Sequence, residues 1–376
     1  MKSQIKKIKN KFKTKFINFQ SIKYAKSEKE FELPDIASYD AISNEWRLED
    51  DCEEEVKALY KSLRYGKKDK FFNELKKIEL KSQHIIKTND ELKLEKNWKK
   101  NLDIYFHKSR ENDYLKFAKF STNNAKANQL KQEGYTTFKL NNLKNILEIL
   151  KPEIKEIKEL PQNNDTTQIT WDRIINVTSK LKKELEKQIF LDAKMFKSIK
   201  SFLGGNSFEI NYAGLIFSTD RDLQYRLFLG DIKTKDNELI NFHIDPKQDL
   251  LKSIIYLSDV NENDGPFTIV PKSHLFSIDL LTDLFGRSIA TGNYCNSEYA
   301  RKSIFRLPSR LRKSFNFGRL IKKNSKEEKI INKNKHCITG EAGTSILFLP
   351  GNTMHRGAVC GKNGSRLALQ IQIKRK

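Results

Sequence analysis

The chain contains few of the residues that stabilise small extracellular proteins. Its 376 residues include four cysteines, and Cys52, Cys295, Cys337 and Cys360 show no C-x-x-C spacing. Thiols so few and so far apart exclude a disulfide-stapled scaffold and argue against a structural zinc site. We therefore expect reduced thiols in a reducing compartment, and a cytoplasmic protein.

Long apolar runs are missing as well. No stretch approaches the roughly 18 apolar residues of a membrane span, and no apolar segment follows the basic N-terminus as it would in a signal peptide. We expect no transmembrane segment. A chain of this length has room for one large domain with an extension, or for two domains.

Acidic residues are outnumbered, with 48 Asp and Glu against 71 Lys and Arg and a net charge of +23. A surface of this charge attracts nucleic acid, anionic lipid or acidic metabolites. Glycine (16) and proline (8) are scarce, whereas Lys, Asn, Ile and Phe are frequent. An AT-rich genome produces the same pattern by codon bias, so the charge has two explanations.

The basic N-terminus is the first candidate interaction element. Residues 1–29 hold ten Lys against the single acid Glu28, and apolar residues recur at helical spacing from Ile5 to Phe19. This pattern is typical of a basic amphipathic helix that contacts a polyanion or a membrane surface. A solvated or disordered tail is the alternative.

The first 200 residues read as mostly helical. Carboxylates at 53–55 precede an apolar pattern and favour the start of a helix. The further helical patterns are Asp69–Ile86, Glu91–Lys119, Leu143–Leu160 with a break or kink at Pro152, and Trp171–Leu203 ending at Gly204-Gly205.

From Ser207 the apolar residues change to strand-like periodicity. The predicted strands are Phe208–Phe217, Tyr225–Ile232, Leu239–Ile244, Ser253–Leu257, Phe267–Val270, Thr344–Leu349 and Leu367–Ile373. Many short antiparallel strands favour an α+β chain whose catalytic domain is a double-stranded β-helix, or jelly roll. We predict a helical extension over 1–120 and this domain over 121–376, with 275–336 as a lid or insert.

Two sequence features carry the chemistry. The first is His243-Ile244-Asp245, whose two polar side chains point the same way in an extended strand. The second is a later histidine with Arg366 behind it. Two imidazoles and one carboxylate on one face of Fe(II) leave positions open for a bidentate co-substrate and dioxygen. An arginine fork could hold the remote carboxylate of 2-oxoglutarate.

Three histidines compete for the second position. His274 follows Pro-Lys-Ser in a loop, and His336 precedes a turn. His355 follows the apolar run 346–349, and the next strand begins at Arg366, eleven residues on. This order favours His355. Tyr256 and Thr268 are weaker candidates for the co-substrate pocket, and a core aromatic is the alternative for Tyr256.

The surroundings of these residues resemble the phytanoyl-CoA dioxygenase family. The chain reads YLSDVNENDGPFTIVPKSH from Tyr256, and TMHRG from Thr353 with Arg366 behind it, where the family shows "YLxDV", "ENGPF", "PGSH", "HRG" and Arg. Leu130 to Tyr135 is similar to its opening "L-x-x-x-Gly-Tyr" element. Lys272 replaces a usual glycine.

This resemblance implies that His243, Asp245 and His355 bind Fe(II) and that Arg366 binds 2-oxoglutarate. It also implies an oxygenase that hydroxylates a small molecule while 2-oxoglutarate becomes succinate and carbon dioxide. An intact Asp245 favours hydroxylation or desaturation over halogenation, because related halogenases carry a small residue there. The alternative is a catalytically silent jelly roll that docks on polyanions through its N-terminal helices.

Overall fold

We analysed a computed structural model of the protein. It describes residues 52–82, 89–117, 122–161, 173–204, 208–220, 242, 245, 250–275, 281, 284, 285, 288 and 326–375. The predicted N-terminal helix and the predicted strands over 225–232 and 239–244 lie outside these residues, apart from Phe242, and stay predictions.

The chain divides into two compact units. The first falls within residues 1–120 and 275–327, and the second within 121–274 and 328–376. The first unit is therefore discontinuous in sequence.

The first unit contains three described helices: α1 (Glu53–Arg64), α2 (Lys68–Lys81) and α3 (Asn89–Phe117). Three glutamates occupy the first turn of α1, and Lys61 and Arg64 lie in its last turn. This arrangement matches the helix dipole, as the sequence predicts. The apolar faces bury a core that also takes in Leu281, Leu284 and Phe285.

The second unit begins with helices and two short strands. These elements are α4 (Ala125–Glu133), β1 (Tyr135–Lys139), α5 (Leu143–Ile149), α6 (Lys151–Glu159), β2 (Arg173–Asn176), α7 (Ser179–Leu191) and α8 (Ala193–Leu203). Three of these helices, α4, α7 and α8, start at polar caps: Asn124 accepts from Ala127 N, Thr178 from Leu181 N, and Asp192 from Lys194 N and Met195 N. Gly134 and Gly204 end α4 and α8 in the left-handed region.

The remaining described elements are mostly strands. They are β3 (Phe208–Thr219), β4 (Leu250–Tyr256), β5 (Phe267–Ile269), α9 (Lys326–Asn334), β6 (His336–Ile338), β7 (Thr344–Phe348), β8 (His355–Gly357) and β9 (Ser365–Arg375). Together with β1 and β2, these strands form two antiparallel sheets. One has six strands in the order β1-β7-β4-β9-β3-β2, and the other has three strands in the order β6-β5-β8.

Alternation along the strands gives the large sheet two different faces. Leu251, Ile255, Leu369 and Ile371 face outward onto a core shared with helices α4 to α8. Ile254, Tyr256, Phe348 and Ala368 face inward and pack on Phe267 and Ile269 of the small sheet. The two sheets therefore pack face to face, and the prediction of an α+β chain with paired antiparallel sheets is confirmed.

The pattern over 143–160 is two helices that meet at Leu150, with Pro152 in the first turn of the second, so the break predicted at this proline is confirmed. Two details of the helical predictions need correction. The pattern over 171–203 is not one helix. Its β-branched start forms β2 against β3, and Asp192 separates α7 from α8. Tyr135–Lys139, in the part that read as helical, is a strand that pairs with β7.

Candidate functional site

His355 occupies the inner face of the small sheet. It begins β8 and is paired with Ile269 of β5, so its side chain points the same way as Ile269, into the space between the sheets. The rings of Phe348 and Phe267 lie 4.7 and 5.7 Å from its imidazole, centroid to centroid. His355 is 3% exposed. An apolar lining therefore shields this imidazole from water.

A backbone hydrogen bond fixes which nitrogen of His355 carries the proton. Nδ1 lies 2.8 Å from the carbonyl oxygen of Thr353. Because a carbonyl oxygen only accepts, Nδ1 must donate. In the neutral ring the lone pair is then on Nε2, the nitrogen that faces Asp245. This is the arrangement in which outer hydrogen bonds orient metal-binding histidines.

Asp245 is held against the chain segment that leads to His355. Its backbone N–H donates to the carbonyl of Pro350 at 2.8 Å. Its Oδ1 lies 3.7 Å from Nε2 of His355, too far for a hydrogen bond. Its Oδ2 accepts from Nζ of Lys252 at 2.7 Å. One oxygen therefore faces the histidine and the other faces the lysine.

The Asp245 and His355 donors fit a divalent metal ion. Metal–oxygen and metal–nitrogen bonds to such ligands are about 2.0–2.2 Å long, so donor atoms 3.7 Å apart can reach one ion between them. A carboxylate and an imidazole with a fixed tautomer are the donor types that the sequence predicts. The third predicted ligand, His243, lies outside the described residues. Within the described part of the chain, no group of three or more potential ligands occurs.

Arg366 lies on the same inner face of the large sheet. It is two residues before Ala368 in β9, which packs between the sheets, and it is paired with Ser218 of β3. It is 5% exposed, and its Nη2 lies 3.4 Å from the Ser218 hydroxyl. Its positive charge acts on the Tyr256 hydroxyl and lowers the pKa of that group, against a larger rise caused by burial. The structure therefore directs Arg366 to the space between the sheets.

The two weaker candidates are placed differently. Tyr256 is on the inner face, but its hydroxyl donates to Ile338 O at 2.6 Å and accepts from Phe267 N at 2.9 Å. Burial raises the pKa of Tyr256 to about 12. Thr268 alternates with Phe267 and Ile269, so it lies on the opposite face of β5 and donates to Pro266 O. The structure does not bring Thr268 to the Asp245–His355 pair.

The two rival histidines have other contacts. Nε2 of His274 lies 2.6 Å from the carbonyl of Lys131, which ties its loop to α4. His336 also pairs with Ile269, but from the other side of β5, so it lies two strand spacings, roughly 10 Å, from His355. Its Nδ1 is 2.9 Å from the Tyr135 hydroxyl.

Sequence reasoning missed three residues at this site. Lys252 faces inward from β4 and contacts Asp245. The guanidinium of Arg356 lies 4.7 Å from the ring centre of the fully buried Phe242, a cation–π contact. Phe242 precedes His243 and Arg356 follows His355, so this contact holds the two predicted ligand segments together. For Lys252, the sequence did contain a signal, because a lysine stands inside the otherwise largely apolar run LLKSIIYL.

Comparisons with known proteins give distant matches only. No family model and no curated protein matches the chain. Among solved structures, the α-ketoglutarate-dependent epimerase SnoN from nogalamycin biosynthesis is 10% identical over 66% of this chain and 81% of its own, with a TM-score of 0.39.

EctD from S. alaskensis with 2-oxoglutarate and 5-hydroxyectoine is 14% identical, with a TM-score of 0.39, over 68% of this chain and 78% of its own. HygX from Streptomyces hygroscopicus with nickel and 2-oxoglutarate is 12% identical, with a TM-score of 0.38, over 68% of this chain and 88% of its own. TM-scores below 0.5 do not establish a shared fold or function. The fold and the candidate site of this chain are therefore described from its own strand pairings and contacts.

Proposed function

We propose that this protein is an Fe(II)- and 2-oxoglutarate-dependent dioxygenase that hydroxylates a small organic molecule. The observation that carries the proposal is the pair of donor atoms, Asp245 Oδ1 and His355 Nε2, 3.7 Å apart, with the histidine tautomer fixed by Thr353.

His243, Asp245 and His355 would hold the iron. Support for His243 comes from its described neighbours, because Phe242 contacts Arg356 and Asp245 faces His355. When bound, the iron would supply dioxygen activation coupled to decarboxylation of 2-oxoglutarate to succinate and carbon dioxide.

The other residues would bind and shield the reactants. Arg366 would hold the remote carboxylate of 2-oxoglutarate, since a buried guanidinium offers that group two charge-assisted hydrogen bonds. Phe267 and Phe348 would keep bulk water from the iron ligands. The Tyr256 hydroxyl would serve as a structural tie, because it is hydrogen-bonded to Ile338 O and to Phe267 N.

The test is an anaerobic titration of the purified protein with Fe(II) and then 2-oxoglutarate, followed through the visible charge-transfer band of that complex. We expect the band in the wild type and its loss in His355→Ala, which should no longer bind Fe(II). His336→Ala is the matched control and should keep the band, because that histidine lies on the far strand of the small sheet.

Arg366→Ala separates the co-substrate from the metal. We expect Fe(II) binding to persist and the 2-oxoglutarate concentration for half-saturation to rise roughly ten- to a hundredfold, the loss of a charge-assisted bidentate contact. A wild-type protein without the band would contradict the proposal and favour the silent polyanion-binding jelly roll. Succinate release that did not depend on iron would contradict it too.

A further inference from the structure

Lys252 is a charged residue at an inward-facing strand position. In β4 it alternates with Ser253 and points the same way as Ile254 and Tyr256, towards the apolar cluster between the sheets. Its side chain is 12% exposed and its Nζ lies 2.7 Å from Asp245 Oδ2. A lysine at such a position conflicts with the apolar pattern of its strand, and conflicts of this kind are concentrated at functional sites.

Lys252 and His355 lie beside different carboxylate oxygens of Asp245. Oδ1 faces His355 Nε2 and Oδ2 is bonded to Lys252. An ion placed between Oδ1 and Nε2 leaves the Lys252 hydrogen bond intact. Asp245 would then give the ion one oxygen, and Lys252 would hold the carboxylate in that orientation.

This contact also changes the charge of the site. Among the described inner-face residues, two largely buried cations, Lys252 and Arg366, accompany the carboxylate of Asp245. A divalent ion added to this set meets the nearby Lys252 ammonium, and like charges in a poorly hydrated space repel strongly. A dianion that binds the ion relieves the repulsion.

We infer that Lys252 is a positioning residue that orients Asp245 as a one-oxygen ligand and makes metal binding depend on the dianionic co-substrate. The ion binds weakly to the protein alone and much more tightly when 2-oxoglutarate is present. This inference rests on the proposed function. By linkage, the ion tightens 2-oxoglutarate binding by the same factor.

The experiment measures that factor with Co(II), whose visible absorption reports binding without turnover. The Co(II) dissociation constant is determined without and with saturating 2-oxoglutarate, in the wild type, Lys252→Met and Lys252→Arg. We expect the ratio of the two constants to fall about tenfold in Lys252→Met, which keeps the length of the side chain and loses the charge. Lys252→Arg should keep the ratio, because it keeps the charge.

The ratio separates this role from a structural one. A general loss of packing or of Asp245 orientation changes both dissociation constants together and cancels in the ratio. Imidazole, a neutral ligand for Co(II), replaces 2-oxoglutarate as a control and should give the same ratio in all three proteins. If Lys252→Met does not fold, Lys252→Gln carries the same expectation.

An unchanged ratio in the neutral variant, measured with a wild type that binds both ligands, would overturn the role of Lys252 in making metal binding depend on the dianionic co-substrate and leave the proposed function standing. A wild type that binds neither Co(II) nor 2-oxoglutarate would overturn both.

Discussion

At the scale of single residues, Tyr256 is a polar group fully buried between the two sheets. Its hydroxyl links the carbonyl of Ile338 in β6 to the N–H of Phe267 in β5, so one phenol satisfies two backbone groups of the small sheet. Both would lose their partner in Tyr256→Phe. Leaving buried polar groups unpaired costs about 1–3 kcal/mol.

The pKa of this phenol gives the first prediction. Burial raises it from 10.0 to about 12, so the unfolded chain loses the proton first as the pH rises. The stability that Tyr256 contributes is fully present below about pH 10 and is lost between about pH 10 and 12. We expect the difference in free energy of unfolding between wild type and Tyr256→Phe to shrink by about 1 kcal/mol from pH 9 to 11.

Urea titrations of both proteins across this pH range measure that difference. Burial also raises the pKa of Tyr135 and of Tyr212, but these residues are present in both proteins and cancel. A difference that stayed constant to pH 11 would show that Tyr256 ionises in the folded protein at its ordinary pKa.

At the scale of elements, the α4–β1 junction supports the loop that carries His355. Gly134 ends α4 with φ +82°, and its carbonyl accepts from Leu349 N and from the Thr353 hydroxyl. A Cβ at Gly134 would lie 2.5 Å from Thr353 Oγ1 and 2.8 Å from His274 Nδ1. The glycine is therefore required both for its backbone conformation and for a close approach.

Gly134→Ala and Gly204→Ala form a matched pair for the next prediction. Both glycines end a helix in the left-handed region, but among the described residues a Cβ at Gly204 would meet only Arg375 Nη2, at 3.4 Å. We expect each variant to lose about 1 kcal/mol of stability from backbone strain. Only Gly134→Ala should also weaken Co(II) binding, by about tenfold, because it displaces the Thr353 carbonyl that orients His355.

Chemical denaturation and Co(II) titration of the two variants test this expectation. Equal Co(II) affinities in both variants would mean that the α4–β1 junction does not position the metal ligand.

The limits of sequence prediction are clearest at this scale. The longer strands β3, β4, β7 and β9 were predicted to within a few residues, because each is a run rich in apolar residues that become buried in the sheet. Short strands such as β1, β6 and β8 were missed. Tyr135–Lys139 is a strand only because β7 lies beside it, and Tyr135 pairs with Phe348 more than two hundred residues away. Local sequence does not contain such partners.

The candidate site was named from the sequence only in part. The order and spacing of Asp245, His355 and Arg366 pointed to an iron site, and the structure places the first two within reach of one ion. Lys252 was missed because the predicted strand began one residue later, at Ser253. Its alternation with Ile254 and Tyr256, which would have placed it inside the sheet pair, was therefore not considered.

At the scale of the whole molecule, the chain leaves the first unit at about residue 120, builds most of the second, and returns between 275 and 327. The segment 275–336 was predicted to be a lid or insert, and this stays a prediction. Its residues Leu281, Leu284 and Phe285 share the core of helices α1 to α3 within the first unit. Among the described residues, no helix is long and apolar enough to cross a membrane.

The contribution of this returning segment to the helical core is best tested at Phe285. It is fully buried, with its ring 5.9 Å from that of Trp98 and 6.2 Å from that of Phe71, and the carbonyl of Ser288, three residues further on, accepts from Asn101. Truncating a buried phenylalanine to alanine costs about 3–5 kcal/mol. We expect Phe285→Ala to lower hydrogen-exchange protection in α1 to α3 and to leave that of β4 and β9 unchanged.

The matched control is Leu80→Ala, a large apolar residue of α2 that is 53% exposed and should change protection little. Co(II) affinity should be the same in both variants, because Asp245 and His355, the proposed ligands, belong to the second unit. An equal loss of protection in β4 and β9 after Phe285→Ala would mean that the two units unfold as one cooperative body. The returning segment would then couple the helical core to the metal site, and Co(II) affinity would fall with it.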